Sequence, residues 1–150
     1  MVGQTGELLL SRTLNLRAWG WPLAIIGAGS LANGAWMLFA PGHWYTELPA
    51  GVPDYGPLNE HFVRDIGVAF AAAGVALVWA AFSSRYRLPL VAIGGVFFWG
   101  HALLHIYDTL RGAVEANHWL LDVPGVYLPA VVLAIAVVVL ARGKGEEHAT

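Results

Sequence analysis

The sequence predicts an all-α fold: four transmembrane helices in one antiparallel bundle, with a long outer loop folded over its mouth as a cap. Two observations lead there. The 150-residue chain is 57% hydrophobic and only 12% charged, with a mean hydropathy of +0.60, whereas soluble domains run near a quarter charged. The apolar residues also fall into four stretches of roughly the 20 residues that a spanning helix needs.

The first stretch, residues 18–40, carries no charge and closes on Pro41-Gly42, which cannot extend a helix. A cleaved signal peptide is the rival reading, but the stretch is longer than such a segment and no small-x-small pattern precedes Pro41. The others run over about 62–84, 88–110 and 123–141, so the chain is expected to form a single membrane domain. Ahead of the first span, Glu7 to Leu16 interleaves five leucines with Arg12 and is expected to lie in the interface as a short helix or to fray.

Arg12, Arg17, Arg85, Arg87, Arg142 and Lys144 fall on one side of these spans, and only Arg64 and Arg111 on the other. The bias predicts both termini in the cytoplasm of a bacterial plasma (inner) membrane, with the site described below facing the periplasm. Residues 41–60 hold four prolines, three glycines, Trp44, Tyr45 and Tyr55. A connection so long and stiff is expected to fold over the bundle mouth.

Several classes are excluded or disfavoured. The chain has no cysteine, so disulfides and thiolate metal sites cannot form. It has no basic run that could follow a phosphate backbone, so nucleic acid is not an expected partner. The lipid bilayer is, and four short spans leave room for a homo-oligomer or a larger membrane complex. Small residues crowd the spans, Gly27, Ala28, Gly29, Ala32 and Gly34 in the first, Gly67, Ala71, Ala72, Ala73 and Gly74 in the second, and Gly94 and Gly95 in the third, and read as surfaces for close helix packing.

Ionisable side chains in apolar helices carry the functional signal. In the third span His101, His105 and Asp108 stand at i, i+4 and i+7, on one helical face. The second opens with His61 and Asp65 one turn apart, flanked by Glu60 and Arg64. Antiparallel topology puts these groups at similar depth. Charge there costs about 2.5 to 3.5 kcal/mol at a helix centre and needs compensation.

A divalent transition metal, Zn, Cu, Fe or Mn, would supply it. His61, Asp65, His101 and His105 are the expected ligands, with Asp108 a ligand or tautomer-fixing partner and Arg64 holding an anionic group. Such a metal could activate water or dioxygen toward an apolar or lipid substrate, so enzymatic activity stays open. Three alternatives also stay open. One is a neutralised polar network with Arg64 on Asp65 or Asp108. Another is a non-catalytic subunit or a lipid- or quinone-binding module. The last is haem b, held by His61 with His105 or His101. His118 and Asp122 repeat the i, i+4 spacing between spans and read as a solvated cap able to reach the site from above.

About 150 residues, four spans, a Pro/Gly-rich first loop and the Asn59 to Arg64 stretch opening the second helix together resemble the small bacterial four-helix membrane proteins of the DoxX-like type. That resemblance implies the fold and membrane location; it assigns no role to the His and Asp residues.

Overall fold

A computed structural model describes residues 18–147, and the expected interfacial helix at Glu7 to Leu16 lies outside them. All regular structure in the described residues is helical. Helix α1 (Gly20–Phe39) is followed by the short α2 (Pro41–Glu47) and a 3-10 turn (Val52–Tyr55). Next come α3 (Glu60–Phe82) and α4 (Arg87–Leu110), then the short α5 (His118–Leu121), a π turn (Val123–Tyr127) and α6 (Leu128–Glu147). Four segments, Gly20–Phe39, Glu60–Phe82, Arg87–Leu110 and Val123–Gly143, are long and apolar enough to cross a membrane, and each agrees with its expected span within two residues at both ends.

Local chemistry sets the helix ends. Ala40, which precedes Pro41, leaves the helical region (φ −142°, ψ 58°), and Pro41 then starts α2, where its missing N–H has no cost. The Asn59 side chain accepts a hydrogen bond from the Phe62 N–H at 3.1 Å and caps α3, with Glu60 adding negative charge at the positive end of the helix dipole. At the far end of α3, Arg87 is buried and donates from Nε to the Ala80 carbonyl and from Nη2 to the Ala81 carbonyl, both at 2.9 Å. This guanidinium satisfies carbonyls that the helix itself leaves open.

Helices α1 and α3 meet backbone to backbone. The buried stripe of α1 is Leu23, Gly27, Ser30, Gly34 and Met37; that of α3 includes Val63, Gly67, Phe70, Gly74 and Leu77. A Cβ at Gly34 would lie 2.6 Å from the Gly67 carbonyl oxygen, and one at Gly74 would lie 2.8 Å from that of Gly27. Only glycine permits this approach, and in lipid the dispersion contact it brings replaces the hydrophobic drive. Helix α4 joins through Phe70, Phe97 and Phe98, with ring centroids 4.8 to 6.3 Å apart, and holds α6 by a bond from Trp99 Nε1 to the Ala130 carbonyl at 3.0 Å. Trp21, Ile25, Phe39, Phe82, Ile93 and Leu103 point outward, as lipid-facing residues must.

The connections α1–α3 and α4–α6 both lie at one end of the bundle, where their residues touch; we call it the loop end. The other end holds the tight turn between α3 and α4.

Candidate functional site

Four polar side chains converge at the loop end from three pieces of chain. His105 comes from α4, one turn and a half before its last residue. Asp122 closes α5 at the start of the fourth span, and His118 opens α5. Tyr55 ends the 3-10 turn of the first connection. Its hydroxyl donates to Asp122 Oδ2 at 2.9 Å and lies 2.8 Å from His105 Nδ1 and 3.2 Å from His118 Nδ1. His105 Nδ1 is also 2.8 Å from Asp122 Oδ2, so phenol oxygen, imidazole nitrogen and carboxylate oxygen form a closed triangle. The other nitrogen of His118, Nε2, meets Asp54 Oδ2 at 3.1 Å.

The first connection folds this way because of Gly51. Its φ of +63° is left-handed, and a Cβ there would lie 3.0 Å from Asp54 Oδ2 and 3.2 Å from His118 Cε1. Glycine is therefore required both by the backbone and by the space, and it turns Asp54 and Tyr55 onto the second connection. Tyr45 pins the far side of the same loop by donating to the Gly56 carbonyl at 2.8 Å.

His118 and Asp122 are fully enclosed, at 0% and 1% exposure. Burial, and then the hydrogen bond to Asp122 and its charge, push the Tyr55 phenol well above its ordinary value, so it stays a neutral O–H donor. Asp122 Oδ1 and the Tyr127 hydroxyl are the buried side-chain atoms left without a hydrogen-bond partner among the described residues. An unpaired carboxylate oxygen in such a place is costly, and His118 Nδ1 lies 3.6 Å from Asp122 Oδ1.

His101 lies one turn deeper, its ring centroid 4.5 Å from that of His105. It stacks on Phe97 (5.7 Å, 8° between planes) and meets Phe70 edge-on at 5.7 Å. No hydrogen bond reaches His105 Nε2 or either His101 nitrogen among the described residues. None of the three is among the fully buried unpartnered atoms, so each keeps some accessible surface.

The residues expected to form one metal centre are divided. His61 and Asp65 pair with each other at 3.5 Å, with side chains 89% and 62% exposed, and no hydrogen bond or ion pair links them to His101 or His105. Arg64 pairs with Glu60 at 3.0 Å and donates to the Leu38 carbonyl at 3.3 Å, so its partner is neither Asp65 nor Asp108. Asp108 binds Arg111 at 2.8 Å. No group of three or more His, Asp or Glu side chains among the described residues is placed to hold a metal ion. The physical reason is azimuth: matching depth put the α3 pair level with His105, but the packed face of α3 runs through Val63, Gly67 and Phe70.

The expected solvated cap at His118 and Asp122 is instead the most enclosed part of the site. Tyr55 and Asp54 were legible only as members of a Pro/Gly-rich cap. Chemically, the cluster can fix one imidazole tautomer, with Nδ1–H on Asp122, and leave the opposite nitrogen free as a base. It can also pass protons among closely spaced N and O atoms.

No family model matches the chain, and no solved structure matches it. Among curated proteins it is similar to the protoheme IX farnesyltransferase of Haloarcula marismortui, 30% identical over 119 residues that cover 70% of this chain and 25% of that protein. The chain spans about a quarter of the length of the curated relative it matches.

Proposed function

We propose that this protein is a bilayer-embedded binding module for a ring-bearing lipid with a hydroxyl or carbonyl group, of the quinol or quinone type, and that His105 is the group that meets it. The observation that carries this reading is the tie of His105 Nδ1 to buried Asp122 at 2.8 Å, which leaves Nε2 unpartnered and not fully enclosed. A carboxylate on Nδ1 fixes the tautomer and makes Nε2 the better base, the same use of Asp as in a hydrolase triad. Nε2 then accepts a hydrogen bond, and on full transfer a proton, from a ring hydroxyl. His101, Phe97 and Phe70 offer an aromatic wall for the ring, and a span exposes it to molecules dissolved in the bilayer. We further propose that the loop end faces the periplasm and both termini the cytoplasm, on the lysine and arginine bias.

Tryptophan quenching of the purified full-length chain by a short-chain ubiquinol analogue tests the reading. Saturable quenching should weaken about tenfold in His105→Gln, the value of one hydrogen bond. Equal quenching by both proteins would refute it.

Haem b is a second reading, favoured by the two open imidazoles of His101 and His105 and by the name of the similar protein. A Soret band in gently purified protein would select it, and a stoichiometric transition metal by elemental analysis would replace both with the metal reading of the sequence.

A further inference from the structure

At the loop end a shallow cavity of about 440 Å³ opens against Asp54, Gly112, Ala113, Val114 and Glu115. The Asp54 side chain is half exposed there, and its Oδ2 reaches Nε2 of the enclosed His118. From His118 Nδ1 the next polar atom is the Tyr55 hydroxyl at 3.2 Å, and then His105 Nδ1 and Asp122 Oδ2 at 2.8 and 2.9 Å. Five titratable side chains thus make an unbroken line of contacts from the cavity at the loop end to the imidazole of His105, which is not fully enclosed. A structural staple would need only a few of them; no simple packing argument calls for an imidazole, entirely enclosed, with a carboxylate on each side.

We propose that Asp54, His118, Tyr55 and Asp122 form a proton path between His105 and the aqueous cavity at the loop end. The path rests on His105 as the ligand-facing base. A proton taken at His105 Nε2 is matched by one given from Nδ1 to the Tyr55 oxygen, either directly or through Asp122 Oδ2, which takes it and hands it on to that oxygen. Tyr55 turns its O–H from Asp122 Oδ2 to His118 Nδ1 and gives its own proton there, His118 gives the Nε2 proton to Asp54, and Asp54 gives it to water. Each group takes one proton and releases one, so no charge accumulates in the buried stretch, and no redox step is involved.

Burial keeps the Tyr55 phenol protonated until its own proton is replaced, as a relay requires. Asp122 Oδ1, buried and unpaired, is a spare acceptor beside the line. The other titratable groups facing it are Glu115 at the cavity, Asp108 with its partner Arg111 on α4, His101 below His105, and Tyr127 on the fourth span.

The test is the exchange of the His105 ring proton with water, followed by 15N-histidine NMR of the full chain in phosphatidylcholine vesicles. Asp54→Asn keeps an acceptor for His118 Nε2 but cannot carry the proton onward, and His118→Phe removes the relay ring. Both should slow exchange at His105 by about a hundredfold, the lower value for a positioned proton carrier. Wild-type exchange in Asp54→Asn overturns the path, even if His118→Phe fails to fold. Quenching by the ubiquinol analogue, measured on the same samples, separates the two claims. Normal quenching with exchange indifferent to Asp54 removes the path and keeps the binding module; slowed exchange without any quenching does the reverse.

Discussion

Replacing Tyr55 by Phe removes one oxygen from the centre of the cluster and leaves the ring. The hydroxyl supplies one of two donors to Asp122 Oδ2, while Oδ1 already has none, so the variant leaves a fully buried carboxylate held by His105 alone. A hydrogen bond to a charged group contributes about 1.5 to 3 kcal/mol. Tyr55 is itself 36% exposed, so the lower half of that range applies, and the loss should be roughly 2 kcal/mol. For a chain of this length each kcal/mol moves the melting temperature by about 2 to 4 °C, which gives a fall of roughly 4 to 8 °C. Thermal unfolding in one mild detergent, with wild type and variant side by side, reads this directly. A shift below about 1 °C would mean that the phenol is not bound to Asp122 and that the first connection does not close on the site.

Other substitutions follow the same geometry. Gly34→Ala places a methyl 2.6 Å from a backbone oxygen of α3 and should cost about 1 to 3 kcal/mol, whereas Gly29→Ala, with nothing within 4 Å, should be neutral or slightly stabilising in the same melting assay. His61→Gln and Asp65→Asn remove an exposed pair and should change stability by less than about 0.5 kcal/mol, with ubiquinol-analogue quenching unaltered. The phenol of Tyr55 has a folded value raised above its unfolded one, so its stabilising contribution is complete below about pH 10 and is lost as pH rises further. Absorbance titration at alkaline pH should show Tyr55 ionising later than the exposed tyrosines, and the late part of the titration should shrink by one tyrosine in Tyr55→Phe.

The spans were legible because a run of apolar residues has one use in a membrane protein, and the glycines because backbone contact in lipid leaves so clear a composition. The i, i+4 and i+7 spacing of His101, His105 and Asp108 drew attention to one face of α4, and His105 lies on the side that carries the buried Phe98, Ala102 and Thr109, beside partners that the spacing did not name. His61 and Asp65 were misplaced because depth along a helix follows from residue number, while azimuth depends on which face packs. In α3 the packed face is fixed by Gly67 and Gly74 against α1, and it turns residues 61 and 65 outward. Tyr55 and Asp54 sit in a stretch with no periodicity. Their position follows from the left-handed backbone at Gly51, a feature carried by one residue among three loop glycines. The pair His118 and Asp122 was visible by spacing, but its burial depends on that loop closing over it.

Asp122 meets His105 at Nδ1, and the proposed binding role needs Nε2 as the free base. 15N chemical shifts of His105 in the full chain, assigned by comparison with His105→Gln, report which ring nitrogen carries the proton. In the wild type Nδ1 should carry the proton and Nε2 should be bare, with Nε2 shifting when the ubiquinol analogue is added. A proton resident on Nε2 with Nδ1 bare, indifferent to the analogue, would contradict it.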